Sequence, residues 1–467
     1  MAVLVALGLI VVILVVRLGD RTDGRRASGT SITDVANDRS APGAGGLRAG
    51  APVPEISVHG DSASPEDRVV KSAIADVQAF WVEEFPQRFG RPYQPVSGGF
   101  YAVTPQSPVP PCANSTRMVE GNAYYCSAAD VVVWDARDLV PTMARTYGDL
   151  SVAIVFAHEL GHAVQVRTGF QAATVTMEQQ ADCYAGAWVR RVRDGDSPYF
   201  QAGGDSLQEA LAGFLALGDE PGVSGGSANA HGSAFDRITA FSEGVDQGTA
   251  RCAQYDDNLI GGRLVELPFN SAADAASGGN MAYGDLVSAT SASLDAYWST
   301  TSPTSARVSW HKPNRDRPFD ASKVGDTPRC DGTDTKGLTV FYCPAQRYIA
   351  YDNAGLFPNV YDKIGDFAVS MLYAEEYSVA VMQHYDIVPS SRKAQALQST
   401  CLTGSWAGAL LRGKVDVQFS LSPGDLDEAV TLLLAMSSTK GSGLEGSGFD
   451  VVAAFRSGVT DGVTACG

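Results

Sequence analysis

Apolar and polar residues alternate along the chain in blocks that predict a mainly helical fold with a small β-sheet. The runs "GGFYAVTP" (98–105) and "ADVVVWD" (129–135) are rich in β-branched and aromatic residues and predict strands. A capping box formed by Thr176 and Gln179 predicts the start of a helix. The apolar spacing predicts helices at 149–167, at about 176–194, and from about 206 and 234 onward. The fold class expected is therefore α+β.

The chain begins with an uninterrupted apolar run, residues 2–16, that ends at Arg17. As a helix it would rise roughly 22 Å, less than the ~30 Å hydrocarbon core of a bilayer. Because no small-residue cleavage site follows directly, we expect residues 1–19 to form a transmembrane signal anchor. Met1 precedes the run without a basic segment, which indicates a natural start further upstream. Residues 20–66 lack apolar periodicity, and we expect a disordered linker.

After residue 66, the sequence contains two similar segments, offset by about 217 positions. The stretch "GDLSVAIVFAHELGHAV" (148–164) aligns with "GDFAVSMLYAEEYSVAV" (365–381), and "FDRITAFSEGVDQGTARC" (235–252) aligns with "FDVVAAFRSGVTDGVTAC" (449–466). Further blocks keep this register with small insertions. We interpret the chain as a tandem duplication with copy one at 67–258, a Gly/Ala/Ser-rich linker at 259–285 and copy two at 286–467.

Composition excludes one class of partner and favours an exported protein. A net charge of −17 leaves no basic surplus to neutralise phosphates, so we expect no nucleic-acid partner. The eight cysteines contain no C-x-x-C pair, which favours disulfides in an oxidising compartment over a cysteine zinc site or reduced thiols. The arginines after the apolar run would instead place that side in the cytoplasm. Large domains translocate largely regardless of flanking charge, so we expect a single-pass cell-membrane protein with its catalytic part extracytoplasmic.

The repeat also constrains the cysteine pairing, because all four cysteines of copy one have counterparts in copy two. We expect each bridge to lie within one copy and the connectivity to be the same in both, although sequence alone leaves other connectivities open. The pairs expected are Cys112–Cys126, Cys183–Cys252, Cys330–Cys343 and Cys401–Cys466.

Residues 156–165, "FAHELGHAVQ", place the pattern His-Glu-x-x-His inside a predicted helix. His158 and His162 would lie on one helical face and could bind one Zn²⁺, with Glu159 as general base towards a water molecule. The alternative is a helix with two surface histidines and a solvated glutamate. With only six histidines in the chain, a chance match is a few-in-a-thousand event, on the order used for short motifs.

A catalytic zinc site needs a third protein ligand and an open fourth position. The stretch "MEQQADC" (177–183) offers Glu178 as that ligand and Asp182, one turn later, as a carboxylate that orients a ligand histidine. The alternative for Glu178 is an acidic residue favoured in a first helical turn, and for Asp182 an ordinary surface carboxylate.

The remaining histidines carry weaker expectations. His231 precedes a predicted helix and could donate a hydrogen bond to the oxyanion of a tetrahedral intermediate, or could be a turn residue. Arg237 is expected to be a structural ion-pair partner. His59, His311 and His384 are expected to have no functional partners.

Copy two loses the candidate chemistry as a set while it keeps the scaffold. Glu376 still stands at the place of Glu159, and the cysteines, Gly404 and Trp406 remain. The aligned replacements are Glu375 for His158, Val379 for His162, Ala396 for Glu178, Thr400 for Asp182 and Glu445 for His231. Copy two is therefore expected to be a metal-free pseudo-metallopeptidase domain.

Three stretches of copy one together resemble the bacterial neutral zinc metallopeptidase family, over about residues 100–255. They are "HELGHAVQ" (158–165), "EQQADCYAGAW" (178–188) and the segment from "HGSAFDR" through "GVDQGTARC" (231–252). The resemblance implies a membrane-anchored, zincin-like domain with zinc on His158, His162 and Glu178 and with Glu159 as catalytic base. Ala163 stands where the family has a further histidine, which by its spacing would not be a ligand.

The sequence thus favours a membrane-anchored, extracytoplasmic zinc endopeptidase acting on a protein or peptide substrate. In that reading Glu159 takes a proton from the attacking water and delivers it to the leaving amine. The alternative is a non-catalytic cell-envelope binding or scaffold protein that retains a structural zinc. The sequence names no partner for copy two.

Overall fold

The structure is a computed structural model, and it divides into two compact units. The N-terminal unit is Ser40–Glu266, and the C-terminal unit is Leu267–Gly467 with strands from the first 39 residues. The residues described are 14–15, 28–32, 45–60, 62–203, 206–216, 231–265, 267–269, 271–305, 309–415, 419–437 and 448–467.

The described elements give an α+β fold that is mainly helical, as the sequence predicts. The strands are β1 (Leu14–Val15), β2 (Ser28–Ile32), β3 (Gly46–Leu47), β4 (Gly99–Val103), β5 (Ala123–Cys126), β6 (Val131–Asp135), β7 (Phe200–Gln201), β8 (Arg315–Phe319), β9 (Val340–Cys343) and β10 (Tyr348–Asp352). The helices are α1 (Pro65–Phe89), α2 (Leu139–Tyr147), α3 (Asp149–Thr168), α4 (Thr174–Arg193), α5 (Ser206–Leu215), α6 (Ala234–Gln247), α7 (Thr249–Cys252), α8 (Asp257–Gly261), α9 (Ala272–Ala276), α10 (Tyr283–Thr300), α11 (Leu356–Lys363), α12 (Asp366–His384), α13 (Arg392–Leu411), α14 (Asp425–Ser437) and α15 (Gly448–Asp461). Two 3₁₀ turns lie at Thr116–Met118 and Val463–Cys466.

The N-terminal unit contains a three-stranded sheet in the order β4-β6-β5. The central strand β6 runs parallel to β4, with Gly99 opposite Val131, and antiparallel to β5, with Cys126 opposite Val131. All five residues of β6 are buried, which explains its continuous apolar run. The strand β5 is left at an edge of this sheet, facing helix α3.

Helix α3 is the central helix of this unit and packs against α1, α2, α4, α5 and β5. Because neighbours surround it, 15 of its 20 residues are buried and it lacks a broad polar face. Gly169, with φ of 75°, closes its C-terminus in the left-handed conformation that favours glycine. The next helix, α4, begins at Thr174 without a side-chain cap, so the capping box expected from Thr176 and Gln179 does not form.

Helices α4 and α6 approach each other closely because glycines face the partner backbone. A Cβ on Gly186 would lie 2.0 Å from the carbonyl oxygen of Phe241, and one on Gly244 would lie 1.9 Å from that of Cys183. The Cys183–Cys252 disulfide ties α4 to α7, directly after α6. These contacts fix α4 between α3 and α6.

Residues 20–66 were predicted to form a disordered linker, but part of this range, residues 45–60, packs on the N-terminal unit. Strand β3 pairs antiparallel with β7, and Arg48 Nε donates to the carbonyl oxygens of Ser197 and Phe200 at 3.1 and 2.9 Å. The His59 N–H donates to the Phe100 carbonyl at 2.9 Å. Main-chain hydrogen bonds order this stretch, and they leave little trace in composition.

The signal anchor predicted at 1–19 lies outside the described residues except for Leu14–Val15. Those two residues form β1 and pair antiparallel with β2, with Leu14 opposite Ile32. Among the helices that the structure describes, none has the length and apolar character needed to cross a membrane.

Among the described residues, from α10 to α15 the C-terminal unit has one helix, three strands and five helices, and from α1 to α6 the N-terminal unit has the same series with the short strand β7 among the helices. Its sheet has the order β1-β2-β9-β10-β8, in which β10 is parallel to β8 and antiparallel to β9. Helix α12 packs against α10, α11, α13 and α14, and α13 packs against α15. The linker predicted at 259–285 contains helix α9 and the end of α8.

Four disulfides lie within the units, in the pairs that the repeat predicts. No free cysteine remains. The bridges are Cys112–Cys126, Cys183–Cys252, Cys330–Cys343 and Cys401–Cys466.

Glu375, on α12, is a shielded carboxyl group in the C-terminal unit. It faces the hydroxyls of Ser399, Thr400 and Thr403, and its Oε1 has no hydrogen-bond partner. Burial is the main cause that raises the pKa of Glu375 to about 7, against the opposing effect of the hydroxyls. The folded chain therefore holds this proton up to a higher pH than the unfolded chain does.

Replacing Glu375 by glutamine should change how stability depends on pH. Between pH 4.5, the ordinary pKa, and about 7, the unfolded chain releases a proton that the folded chain keeps, so rising pH destabilises the wild type. Below this window both the folded and the unfolded chain keep the proton, so this group does not make stability depend on pH. Above it both have released the proton, and the destabilisation has reached its full size. The free energy of unfolding of Glu375→Gln relative to wild type should therefore rise by up to about 3 kcal/mol from pH 4.5 to 7.5. Urea titrations of both full-length proteins at several pH values measure this, and a difference that stays constant with pH would contradict it.

Candidate metal centre

Helices α3 and α4 bring three side chains of the sequence motifs to one point. His158 and His162 are one turn apart on α3, and their Nε2 atoms lie 3.2 Å from each other. Glu178, in the first turns of α4, places Oε2 3.2 Å from His158 Nε2 and Oε1 3.4 Å from His162 Nε2. One possible ligand atom of each residue lies within 4.8 Å of the others, close enough to share one ion.

The donor set fits zinc. Two imidazole nitrogens and one carboxylate are a usual three-ligand set of catalytic zinc sites. Glu178 Oε2 is buried without a hydrogen-bond partner, so this oxygen has an unused lone pair at the convergence point. Burial by itself would raise the pKa of Glu178, but the two histidines outweigh it and hold that pKa far below its usual range. Glu178 is therefore an anionic donor, and these three residues would hold the metal.

A buried ion pair orients His158. Its Nδ1 lies 2.7 Å from Asp182 Oδ1, and Arg237 donates to both oxygens of Asp182, from Nε at 3.0 Å and from Nη2 at 2.9 Å. Burial raises the pKa of Asp182, yet Arg237 and His158 lower it overall. Because an ionised carboxylate only accepts, Nδ1 carries the hydrogen, and in the neutral imidazole Nε2 is then the nitrogen left for a metal.

Glu159 lies beside the three converging residues without being one of them. Its Oε2 accepts a hydrogen bond from the Tyr125 N–H of β5 at 2.8 Å, which fixes the carboxylate between helix and edge strand. Burial is the largest effect and raises the pKa of Glu159, although His158 and His162 oppose it. A raised carboxyl pKa brings a group closer to the range useful for proton transfer at neutral pH.

Two residues that contact this site, Phe214 and Gln165, were not singled out as site residues from the sequence. The Phe214 ring on α5 lies 5.8 Å from the His158 ring, and the Arg237 guanidinium lies over the same Phe214 ring at 4.2 Å. Gln165 contacts His162, with 2.9 Å between Oε1 and Nδ1. Gln165 could have been found from the sequence, because it is a polar residue three positions after His162 on the same helix. Phe214 could not, because its helix α5 contains no recognisable motif.

The remaining histidines lie outside the convergence point. His231 sits in the turn before α6, and a Cβ on the next residue, Gly232, would lie 3.5 Å from Gln179 Nε2 on α4. His59, expected to have no partner, stacks on Tyr101 with ring centroids 4.5 Å apart. His311 and His384 of the C-terminal unit lie 5.3 Å apart, centroid to centroid.

A second group of carboxylates lies in the C-terminal unit, at the start of α12. Its members are Asp366, Asp425 and Glu428. These groups offer oxygen alone, whereas zinc in proteins prefers sites with nitrogen or sulfur. The group therefore does not alter the number of zinc ions expected.

Comparison with known proteins bears on the N-terminal unit. Residues 50–255 match one family. Its model is described as "Putative neutral zinc metallopeptidase". The match contains both helices of the candidate metal centre, and the description implies zinc.

Individual relatives overlap the same part of the chain. "Uncharacterized protein YpfJ" of Escherichia coli (strain K12) is 26% identical over 242 residues, which are 46% of this chain and 81% of that protein. "Uncharacterized protein Rv2575" of Mycobacterium tuberculosis (strain ATCC 25618 / H37Rv) is 31% identical over 156 residues, 28% of this chain and 53% of that protein. No solved structure matches significantly.

The geometry predicts one zinc per chain, bound in the N-terminal unit. His158→Ala or His162→Ala removes one of three protein ligands and should abolish stoichiometric binding. Metal analysis of the purified full-length protein, wild type beside each variant, measures this. His384→Ala in the C-terminal unit is the control and should keep the metal. Two zinc ions per chain, or zinc retained by either α3 variant, would contradict the assignment.

Proposed function

We propose that the protein is a zinc-dependent endopeptidase that hydrolyses peptide bonds of a protein or peptide substrate. The observation that carries this is the buried convergence of His158, His162 and Glu178, with Glu159 held beside them but outside the set of donors. A carboxyl held beside the donors but outside their set is in the position that a general base needs. The family description of residues 50–255 supports the same conclusion.

The chemistry divides between the metal and the side chains of this chain. Zinc, when bound here, supplies a Lewis acid that polarises the scissile carbonyl and makes water more acidic. Glu159 takes the proton of the attacking water and delivers it to the leaving amine. Its hydrogen bond from Tyr125 keeps one oxygen occupied, so the other remains for the water. His231, in the turn beside α4, is proposed to donate a hydrogen bond to the oxyanion.

The C-terminal unit is proposed to be a duplicated, degenerate copy without the zinc chemistry. Its strands β8, β9 and β10 pair as β4, β5 and β6 do, parallel and antiparallel in the same order. Glu376 accepts a hydrogen bond from the Tyr342 N–H at 2.8 Å, the same contact that Glu159 makes with Tyr125. Equivalent contacts support a common origin of the two units.

Close helix packing supports the duplication independently. A Cβ on Gly404 would lie 2.2 Å from the Phe455 carbonyl oxygen, and one on Gly458 would lie 2.0 Å from that of Cys401. The pair α13 and α15 thus repeats the glycine contacts of α4 and α6. The disulfide Cys401–Cys466 also repeats the one that ties α4 to α7.

The proposal places the folded units outside the cytoplasm, anchored in the cell membrane by residues 1–19. The four disulfides support an oxidising compartment, because such bonds rarely persist among cytosolic thiols. The anchor rests on the apolar composition of residues 2–16 alone, since the two of them that the structure describes, Leu14–Val15, form a strand rather than a helix.

Exchanging Glu159 for glutamine separates a peptidase from a zinc-retaining scaffold. Glu159→Gln should keep one zinc per chain, because Glu159 is not among the three converging donors, but should lose about 10²–10⁴-fold in peptide hydrolysis with the general base. Metal analysis and mass-spectrometric cleavage profiling of a peptide library measure the two properties on the same sample.

Glu376→Gln is the matched control, since it removes the same strand contact in the unit that lacks the histidines. It should leave hydrolysis unchanged. A wild-type protein that binds zinc and cleaves no peptide, or equal hydrolysis by wild type and Glu159→Gln, would favour the scaffold over the peptidase.

A further inference from the structure

Gln165 is a buried polar residue that touches both halves of the candidate metal centre. It lies on α3, three positions after His162, and only 1% of it is exposed. Its Oε1 is 2.9 Å from His162 Nδ1, and its Nε2 donates to the carbonyl oxygen of Met177 at 2.6 Å. Met177 directly precedes Glu178, the carboxylate donor on α4. The Gln165 side chain therefore connects His162 on α3 to the part of α4 that carries Glu178.

The Met177 carbonyl decides which way the amide of Gln165 faces. A carbonyl oxygen only accepts, so the NH₂ group of Gln165 must face Met177 and its oxygen must face His162. That oxygen in turn requires the hydrogen of a neutral His162 to be on Nδ1. The Nε2 atom, which points to His158 and Glu178, is then left with its lone pair.

This contact on His162 is the counterpart of the one that Asp182 makes on His158. Both ligand histidines receive an oxygen acceptor at Nδ1, 2.7 Å away for His158 and 2.9 Å away for His162. The first acceptor is an anion held by Arg237, and the second is a neutral amide held by a backbone carbonyl. The two imidazoles are thereby held by separate hydrogen bonds, one from a residue of α4 and one from a residue of α3.

The C-terminal unit lacks this contact together with the metal donors. At the aligned position, Met382 replaces Gln165, and Val379 replaces His162. Methionine has nearly the length and shape of glutamine but no strong hydrogen-bonding group. The packing of α12 thus tolerates an apolar residue where α3 buries an amide, so helix packing alone does not require the glutamine.

We infer that Gln165 is a positioning residue of the metal centre, which fixes the tautomer and ring orientation of His162 and ties them to the α4 segment before Glu178. The inference rests on the proposed binding of zinc at His158, His162 and Glu178. Residues that orient a ligand histidine usually contribute 10–100-fold to metal affinity. Gln165 acts through His162 and does not touch the substrate.

Two substitutions separate this role from ordinary packing. Gln165→Met keeps the shape but removes the acceptor at His162 Nδ1 and should weaken zinc binding about 10–100-fold in a chelator competition with the full-length protein. Gln165→Glu keeps an oxygen acceptor for Nδ1–H and loses the donor to Met177, so it should recover most of that affinity. The same assay on wild type, without any substrate, supplies the reference.

Gln180→Met is the matched control within the same unit. Gln180 is 2% exposed on α4 and donates to the Cys252 carbonyl at 3.1 Å, so it is another buried glutamine bound to a backbone carbonyl. Removing this hydrogen bond should lower the thermal stability of the metal-free protein. Zinc affinity should stay within about threefold of wild type, because the hydrogen bond of Gln180 goes to Cys252 and not to His158, His162 or Glu178.

The outcomes are distinct from those of the peptidase test. Wild-type zinc affinity in Gln165→Met, or no recovery in Gln165→Glu, overturns the positioning role, as does an equal loss of affinity in Gln180→Met. Absence of zinc from the wild type would remove the proposed metal site itself and is visible before any variant is compared. Absence of peptide cleavage by a zinc-loaded wild type would remove the peptidase function and leave the Gln165 inference standing.

Discussion

The ion pair between Asp182 and Arg237 supports the rest of the site. Both side chains are almost completely buried, and Asp182 accepts from Arg237 and from His158 at once. An unpaired buried charge would destabilise the fold by about 3–5 kcal/mol, so neither partner can be lost alone without cost. Because Asp182 is on α4, Arg237 on α6 and His158 on α3, this pair also joins the three helices. The orientation of the metal-facing nitrogen therefore depends on a contact that the fold itself requires.

Helix packing makes that contact possible. Gly186 and Gly244 let α4 and α6 approach to within backbone contact, and a disulfide at Cys183 holds the same region. Burial raises the pKa of both Glu159 and Glu178, but the neighbouring histidines change the outcome for only one of them. The histidines only partly offset burial at Glu159, so its pKa rises, whereas at Glu178 they outweigh burial and its pKa falls. In the same buried environment, the raised pKa of Glu159 suits proton transfer, and the lowered pKa of Glu178 keeps that carboxylate anionic.

The C-terminal unit shows which contacts the scaffold needs without the chemistry. It keeps the strand pairing and the hydrogen bond from an edge-strand N–H to a helix glutamate, here Glu376. At the positions aligned with His158, His162 and Gln165 it has Glu375, Val379 and Met382, and Glu375 is a shielded carboxyl with a raised pKa. In this proposed copy the glutamate–strand contact persists where no histidine donor remains, which indicates that it also stabilises the join between helix and sheet.

The sequence by itself determined the helix-rich α+β class and the close spacing of His158, Glu159 and His162, because helical periodicity is a local property of the chain. Its internal similarity favoured one set of cysteine pairs, and the tertiary structure decided among the connectivities that were left open. The sequence also singled out Glu178 and Asp182 as carboxylates near the histidines. Only the tertiary structure decided that Asp182 faces Nδ1 of His158, that Gln165 bridges His162 to Met177 and that Glu159 bonds the Tyr125 N–H. It likewise ordered the stretch between residues 45 and 60, which composition placed in a disordered linker. These contacts join residues on different elements, and their formation depends on how α3, α4, α6 and the sheet pack, which no periodicity in the chain encodes.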